Sequence, residues 1–120
     1  MRNYKNIKAF QYADKLTVAV YDLTKTFPKN EQYGLVSQLR RSAVSISANI
    51  AEGASRQHNK DYLQFLFIAR ASLAELEYLL CLSIRLGLIF DESVKVIISL
   101  KDQTARTLFG LISVVQLAVH

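Results

Sequence analysis

At 120 residues, the chain is long enough for one domain with a hydrophobic core and too short for two ordinary domains. Its hydrophobic content of 51% excludes an intrinsically disordered protein, and a single proline with four glycines argues against a turn-rich β fold. The formal net charge of +5 is compatible with an acidic partner. We therefore expect residues 1–120 to form one all-α domain.

Hydrophobic residues recur every three or four positions near the start of the chain, which predicts a first helix over about residues 7–26. Pro28 ends this helix, because the residue before a proline is pushed out of the α region. A second helix is predicted over about residues 31–52, with Gly53 placed to end it in a left-handed conformation.

A polar loop over residues 54–59 leads into a third helix, with His58 or Asn59 as its N-cap. This helix is predicted to run to about Leu86, where Gly87 ends it. Asp91 then caps a fourth helix, which continues nearly to the C-terminus. Short connections make sequential helices antiparallel neighbours, so we predict an antiparallel up-down-up-down four-helix bundle.

No stretch of the sequence is predicted to span a membrane. The longest apolar segment, residues 62–90, is interrupted by four charged residues: Arg70, Glu75, Glu77 and Arg85. Residues 1–8 are polar and basic, so no secretory signal peptide is expected. The single cysteine, Cys81, lies in an apolar run and is expected to be a small buried residue. These features predict a cytoplasmic protein with no membrane partner.

The second helix carries too few charges for a helix with an ordinary solvent-exposed face. One arc is apolar, a second is polar, and the third consists almost entirely of small side chains. Small side chains permit the close approach of another helix. We infer that this helix is covered on two sides, with a neighbouring subunit as a candidate for the second cover.

Residues 27–56 carry a distinctive pattern: Phe27-Pro28, Glu31, Gly34-Leu35, Ser37-Gln38, Arg40-Arg41, Ser45-Ile46 and Asn49-Ile50-Ala51-Glu52-Gly53, followed by Arg56. Asp61-Tyr62 and Ser72-Leu73-x-Glu75-Leu76 continue the pattern downstream. Together these motifs resemble the bacterial four-helix bundle family that is encoded in intervening sequences of 23S rRNA genes. The resemblance covers roughly residues 9–89. It departs from the family at Ala71, where glycine is frequent, and at Asp61, where glutamate is usual.

This resemblance implies an antiparallel four-helix bundle that assembles as a ring-shaped homopentamer. A similar bundle is the accessory protein of diversity-generating retroelements, in which a basic oligomer engages a reverse transcriptase and nucleic acid. The family has no established catalytic activity, so the resemblance implies a non-enzymatic protein. A nucleic-acid role comes to this chain only by analogy, since a fold does not fix a function.

The residues themselves also give no reason to expect an enzyme, a cofactor or a metal. Di-iron bundles use Glu-x-x-His pairs on facing helices. The two histidines here are His58, in a predicted loop, and His120, and neither follows a glutamate at that spacing. A zinc site lacks ligands for the same reason, and there is no glycine-rich phosphate loop. We predict no catalytic residues and no metal ligands.

One polar set, drawn from the second and third helices, is open to two interpretations: Arg41, Asn49, Glu52 and Glu75. We interpret it as a buried hydrogen-bond and ion-pair network that fixes the register of the helices. The alternative is a ligand or nucleic-acid site at one end of the bundle. The structural interpretation predicts that Arg41→Ala clearly lowers the melting temperature.

Basic residues are concentrated in the first half of the chain. Residues 1–60 hold ten Lys and Arg against four Asp and Glu, whereas residues 61–120 hold five against six. The hypothesis is that RNA or DNA phosphates contact a basic set, with nearby tyrosines stacking on bases: Arg40, Arg56, Lys60, Lys5 and Lys8. The alternative is a solvated basic surface.

The fourth helix is apolar over more than one face, and residues 107–119 contain no charged side chain. A helix in a four-helix bundle buries one face, so the excess predicts a homo-oligomer. Lys101 falls inside the apolar stripe and is expected to reach solvent or pair with an acid. Two functions remain open. One is a homo-oligomeric, nucleic-acid-associated accessory protein, and the other is a protein-protein interaction scaffold with no nucleic-acid role.

Overall fold

The computed structural model of the chain describes residues 2–119 and confirms the predicted all-α four-helix bundle. The helices are α1 (Lys8–Thr24), α2 (Ser37–Ala54), α3 (Asn59–Arg85) and α4 (Glu92–Leu117). Each helix packs against its neighbours in sequence, and α4 closes the bundle against α1. Neighbouring helices run in opposite directions along a particle that measures 47 × 25 × 21 Å.

One face of each helix forms a shared core. The largest side chains that are fully buried come from all four helices: Leu16, Leu39, Ile46, Ile50, Leu66, Leu76, Leu80, Ile97 and Leu108. Each contributes about 1.5–3 kcal/mol when it is fully buried. Lys101 pairs with an acid as predicted: its Nζ lies 2.7 Å from Asp102 Oδ1 and 3.4 Å from Oε2 of Glu77 in α3. The core therefore holds the bundle together, and Lys101 ties α3 to α4 at its edge.

The entry into the second helix differs from the prediction. After Pro28, a 3-10 turn (Lys29–Glu31) and a π-helical turn (Gln32–Val36) precede α2. Leu35 and Val36 are both buried although they are adjacent in sequence. Adjacent buried pairs also occur in the regular helices, as at Leu79 and Leu80 of α3, so the π turn is not needed to bury both residues.

The prediction that Gly53 ends the second helix in a left-handed conformation is wrong. The helix continues to Ala54, and Gly53 lies buried within it, facing α3. A Cβ atom at Gly53 would lie 2.7 Å from Cβ of Phe65 and 3.0 Å from Cδ1 of Tyr62. Packing, rather than backbone conformation, requires glycine at this position.

The predicted turn at Gly87 is confirmed. Gly87 has φ +74°, its N–H donates to the carbonyl of Ile84, and the N–H of Leu88 donates to the carbonyl of Ser83. Asp91 precedes α4 as predicted, but its side chain makes no capping hydrogen bond. Its backbone, at φ 57° and ψ −135°, lies in a region that residues with a Cβ rarely adopt.

Cys81 is exposed, so the prediction that it is buried is wrong. Its neighbours Leu79 and Leu80 face the core. Helical periodicity turns the next side chain away from that face, which places the thiol on the outside of α3.

Candidate nucleic-acid interface

Four of the five residues in the predicted basic set lie at one end of the bundle. Here α1 and α3 begin and α2 ends, because residues 55–58 connect α2 directly to α3. Arg2, from the segment before α1, joins them there. We call these five residues the basic end: Arg2, Lys5, Lys8, Arg56 and Lys60.

Arg2 attaches the N-terminal segment to the connection between α2 and α3. Its Nη1 donates to the carbonyl oxygen of Arg56 at 2.6 Å, and its Nη2 donates to Oδ1 of Asn59. The guanidinium carbon lies 4.3 Å from the centre of the Tyr62 ring. Arg2 was not in the predicted set, because the order of residues along the chain does not show that the N-terminal segment contacts residues 54–59.

Arg56 is held by two contacts. Its Nη2 lies 3.2 Å from Oε1 of Glu52, and its guanidinium carbon lies 4.6 Å from the centre of the Phe65 ring. Both partners of the ion pair are solvent-exposed, so the pairing is weak and leaves Arg56 accessible to a phosphate. Lys5, Lys8 and Lys60 are exposed and form no ion pair with another residue in the range 2–119.

Arg40, the fifth residue of the predicted set, lies elsewhere. It lies near the start of α2, fourteen residues before the helix ends at Ala54, which corresponds to about 21 Å at 1.5 Å per helical residue. Its Nε donates to Oγ1 of Thr24 at 2.9 Å, and its guanidinium carbon lies 4.6 Å from the centre of the Tyr21 ring. Arg40 therefore ties α2 to α1 and is separate from the basic end.

Two lysines at the opposite end of the bundle form exposed ion pairs with neighbouring acids. Nζ of Lys25 lies 3.2 Å from Oδ1 of Asp22, and Nζ of Lys95 lies 3.2 Å from Oε1 of Glu92. At the basic end, the five basic residues face two acidic ones, Glu52 and Asp61. Positive charge is consequently in excess at the basic end.

The predicted buried network of Arg41, Asn49, Glu52 and Glu75 is not formed. Arg41, Glu52 and Glu75 are exposed, and across residues 2–119 neither Arg41 nor Glu75 makes a side-chain hydrogen bond or ion pair. The physical reason is that no other helix of the same chain covers the outer face of α2. Arg41 and Glu75 instead line an open trough across that face.

Hydroxyl groups supply the polar contacts between helices that the sequence did not reveal. Oγ of Ser45 lies 2.8 Å from Oγ of Ser72 in α3, and Asn49 Nδ2 donates to the Ser45 carbonyl at 2.8 Å. On the other side of α2, Oγ1 of Thr17 lies 3.0 Å from Oγ of Ser47. Small side chains in α2 therefore bring these hydroxyls within hydrogen-bond distance.

Large apolar side chains remain exposed on α4. Phe109 is 71% exposed, Val114 65% and Leu117 75%. On α2, Val44 and Ala48 are also exposed. The outer face of α4 is therefore unusually apolar for a surface in contact with water.

An open cavity of about 340 Å³ lies beside the basic end, between the N-terminal segment and the last turns of α4. Apolar residues and Arg2, Asn3, Asn59 and Tyr62 line it. The Tyr62 hydroxyl is buried and has no hydrogen-bond partner among residues 2–119. Burial raises the pKa of Tyr62 more than the positive charge of Arg2 lowers it.

Neither a metal site nor a membrane-crossing helix is found in the described part of the chain. Within residues 2–119, no group of three or more His, Cys, Asp or Glu side chains is arranged to hold a metal ion. In the same range, no helix is long and apolar enough to cross a membrane. His58 is exposed at the start of α3, and His120 lies outside the described residues.

Comparisons with known proteins agree with the fold. A family model for the 23S rRNA-intervening sequence protein matches residues 5–110, from the segment before α1 into α4. A crystal structure of a protein of unknown function from the S23 ribosomal protein family of Bacteroides thetaiotaomicron is similar, with a TM-score of 0.79 and 27% identity. That similarity covers 88% of this chain and 95% of the Bacteroides chain. No curated protein matches. The chain belongs to the family of 23S rRNA-intervening sequence proteins.

Proposed function

We propose that this chain is a non-enzymatic accessory protein that binds the RNA or DNA backbone through its basic end. The observation that carries the proposal is the meeting of basic residues from separate parts of the sequence at one end of the bundle. Lysine and arginine contacts with phosphates release counterions, and this release supplies most of the sequence-independent affinity for nucleic acids. Exposed lysines suit that role because they act as mobile point charges.

The start of α3 supports the same assignment. His58 occupies its N-cap position without a side-chain hydrogen bond to the first turn, so no side chain caps the backbone N–H groups there. Such groups favour an anion, and Lys60 lies beside them in sequence, although the carboxylate of Asp61 already lies in the same first turn. These contacts distinguish no base from another, so binding is expected to tolerate changes of sequence.

A pair of charge-reversal variants tests this proposal. One carries Lys5→Glu, Lys8→Glu and Lys60→Glu at the basic end, and the control carries Lys25→Glu, Lys29→Glu and Lys95→Glu at the opposite end. Both have the same net charge, and every substituted lysine is exposed. Fluorescence anisotropy with single-stranded RNA should show at least about a tenfold loss of affinity for the first variant alone. Equal losses for both variants would show that position does not matter and would contradict the proposal.

We further propose that the chain acts as a homo-oligomer, with the pentamer favoured by its resemblance to the family. The exposed apolar residues of α4 and the small side chains on the outer face of α2 support this proposal. Several copies would present several basic ends to one strand and so raise the overall affinity without new contacts. Ala48→Glu should lower the mass measured by light scattering, whereas Asn30→Glu, in the α1–α2 connection, should leave it unchanged.

A protein-protein interaction scaffold is the second candidate function. It is favoured by Tyr33 and Phe90, which are 96% and 65% exposed near the end of the bundle opposite the basic end. Aromatic residues with this exposure are typical of binding surfaces. An oligomer that shows no affinity for RNA or DNA at low salt would support this function and contradict the first.

A further inference from the structure

We infer that two copies of this chain pair through the outer faces of their α2 helices, which lie antiparallel about a two-fold axis. This contact rests on the homo-oligomer proposed above, and it names the residues that meet. Four exposed residues recur every three or four positions along α2 and so form one stripe on its outer face: Arg41, Val44, Ala48 and Glu52. Within residues 2–119 no other helix covers this stripe, so a second copy can reach it.

The stripe is complementary to itself when its direction is reversed. Its two charges lie at its ends, and Arg41 and Glu52 are equally far in sequence from the midpoint between Ser45 and Ala48. In an isologous contact, each residue of one copy meets a given residue of the other, and the reverse also holds. An antiparallel pair therefore places Arg41 of each copy opposite Glu52 of the other. A parallel pair would place each charge opposite its own sign.

The charges of the stripe are available to a second copy. Arg41 forms no ion pair within residues 2–119, and Arg56 holds only Oε1 of Glu52, at 3.2 Å. A carboxylate accepts several hydrogen bonds, so Glu52 can bind Arg56 of its own chain and Arg41 of the other copy. Glu75 lines the same trough as Arg41 and balances the second arginine. The polar network that one chain does not form is then completed between two.

The middle of the stripe lets the two helices approach closely. Val44 is 41% exposed, Ala48 is also exposed, and both side chains are short and uncharged. The distance between the axes of packed helices is about 8–10 Å and depends on the side chains at the contact, so short side chains allow the lower end of this range. At that distance Val44 and Ala48 are removed from water, which favours the pair.

The pairing leaves both basic ends accessible. In each copy α2 ends at the basic end, so antiparallel α2 helices direct the two basic ends to opposite ends of the pair. The lysines of the basic end lie outside α2 and are not part of the contact. Pairing and strand binding can therefore be measured separately.

Charge reversal tests this contact, because two variants that each fail to pair should pair with one another. In a pair of identical copies, Arg41→Glu puts two negative charges opposite each other, and Glu52→Arg puts two positive charges opposite each other. We expect light scattering at low salt to give each variant half the mass of the wild type. In an equimolar mixture the facing charges are again opposite in sign, so the wild-type mass should return.

Arg70→Glu is the matched control for Arg41→Glu. It makes the same change in net charge at an exposed arginine of α3. Arg70 lies seven residues, or about two helical turns, before Glu77, which contacts Lys101 of α4. Its side chain is therefore on the side of α3 that is turned away from α2, and Arg70→Glu should keep the wild-type mass.

The possible results separate this contact from the proposed function. A two-fold contact requires an even number of copies, so a pentameric wild type would support the pentamer proposed above and refute the pairing. An assembly whose mass neither variant changes, or a mixture that stays at the reduced mass, would refute the pairing and leave the homo-oligomer standing. A monomeric wild type would refute both. None of these results bears on strand binding at the basic end.

Discussion

At Gly53, α2 and α3 approach so closely that a methyl group has no room. The Cβ of an alanine would lie 2.7 Å from Cβ of Phe65, which is not the far end of a flexible side chain. Overpacking of this kind costs about 1–3 kcal/mol, and the gain in helix propensity returns about 1 kcal/mol. We expect Gly53→Ala to lower the free energy of unfolding, as measured by urea denaturation.

Gly110 provides the matched control. It lies inside α4, is exposed, and has no atom within 4 Å of the position that a Cβ would take. Gly110→Ala should therefore raise the free energy of unfolding by about 0.8–1 kcal/mol, through helix propensity alone. An equal stabilisation by Gly53→Ala would contradict the close approach of the two helices.

Tyr62 predicts a response to alkaline pH. Because burial raises the pKa of its hydroxyl, the folded chain keeps the proton at a pH where the unfolded chain has lost it. The contribution of Tyr62 to stability is therefore fully present below about pH 10 and is lost as the pH rises through the raised pKa.

Tyr62→Phe isolates this effect from the other titrating groups. At neutral pH the variant should be more stable than the wild type by about 1 kcal/mol, because it removes a buried hydroxyl without a partner. The difference in the free energy of unfolding between Tyr62→Phe and the wild type should grow above about pH 10, as measured by urea denaturation at a series of pH values. If this difference in the free energy of unfolding shrinks above about pH 10, the pKa of Tyr62 is not raised.

These residues also show where sequence reasoning stops. Periodicity placed Arg41 and Glu75 on polar faces of their helices, but it could not show that the outer face of α2 lacks a cover within the chain. Gly53 follows the predicted end of a helix, as a capping glycine does. Only the position of Phe65 across the helix pair reveals its packing role. Both errors concern contacts between helices, which a pattern within one helix does not contain.

At the start of α4, a strained Asp91 and a capping Asp91 predict opposite changes in stability on substitution. Asp91 has a positive φ of 57° and no capping hydrogen bond from its side chain. A strained backbone of this kind costs about 1–3 kcal/mol, and glycine relieves it. We expect Asp91→Gly to raise the melting temperature in a circular dichroism melt. If the Asp91 side chain instead capped α4, Asp91→Gly would lower the melting temperature slightly.

The boundaries of the other helices follow from local signals. α1 lies within the predicted residues 7–26, and α3 ends two residues before Gly87, because proline and glycine act through the backbone of the same segment. The π-helical turn before α2 was not predicted. Leu35 and Val36 are buried within it, and the order of residues along the chain carries no signal for its i→i+5 hydrogen bonds.

At the scale of the whole molecule, the up-down topology sorts charge between the two ends. The sequence shows that the first half is basic, but only the fold brings Lys5 and Lys8 beside Arg56 and Lys60. The same fold leaves Arg40 near the start of α2, about 21 Å from the end of that helix at Ala54. Four members of the predicted basic set therefore share one end of the bundle, and Arg40 lies apart from them.

The salt dependence of strand binding tests the role of the basic end most directly. The affinity for single-stranded RNA should be measured across a range of salt concentrations for the wild type and for the Lys5→Glu, Lys8→Glu, Lys60→Glu variant. Each lost phosphate contact should reduce the slope of log K against log salt by about 0.7, so the variant should have a slope shallower by about 2. An unchanged slope, or wild-type affinity that does not vary with salt, would contradict binding at the basic end.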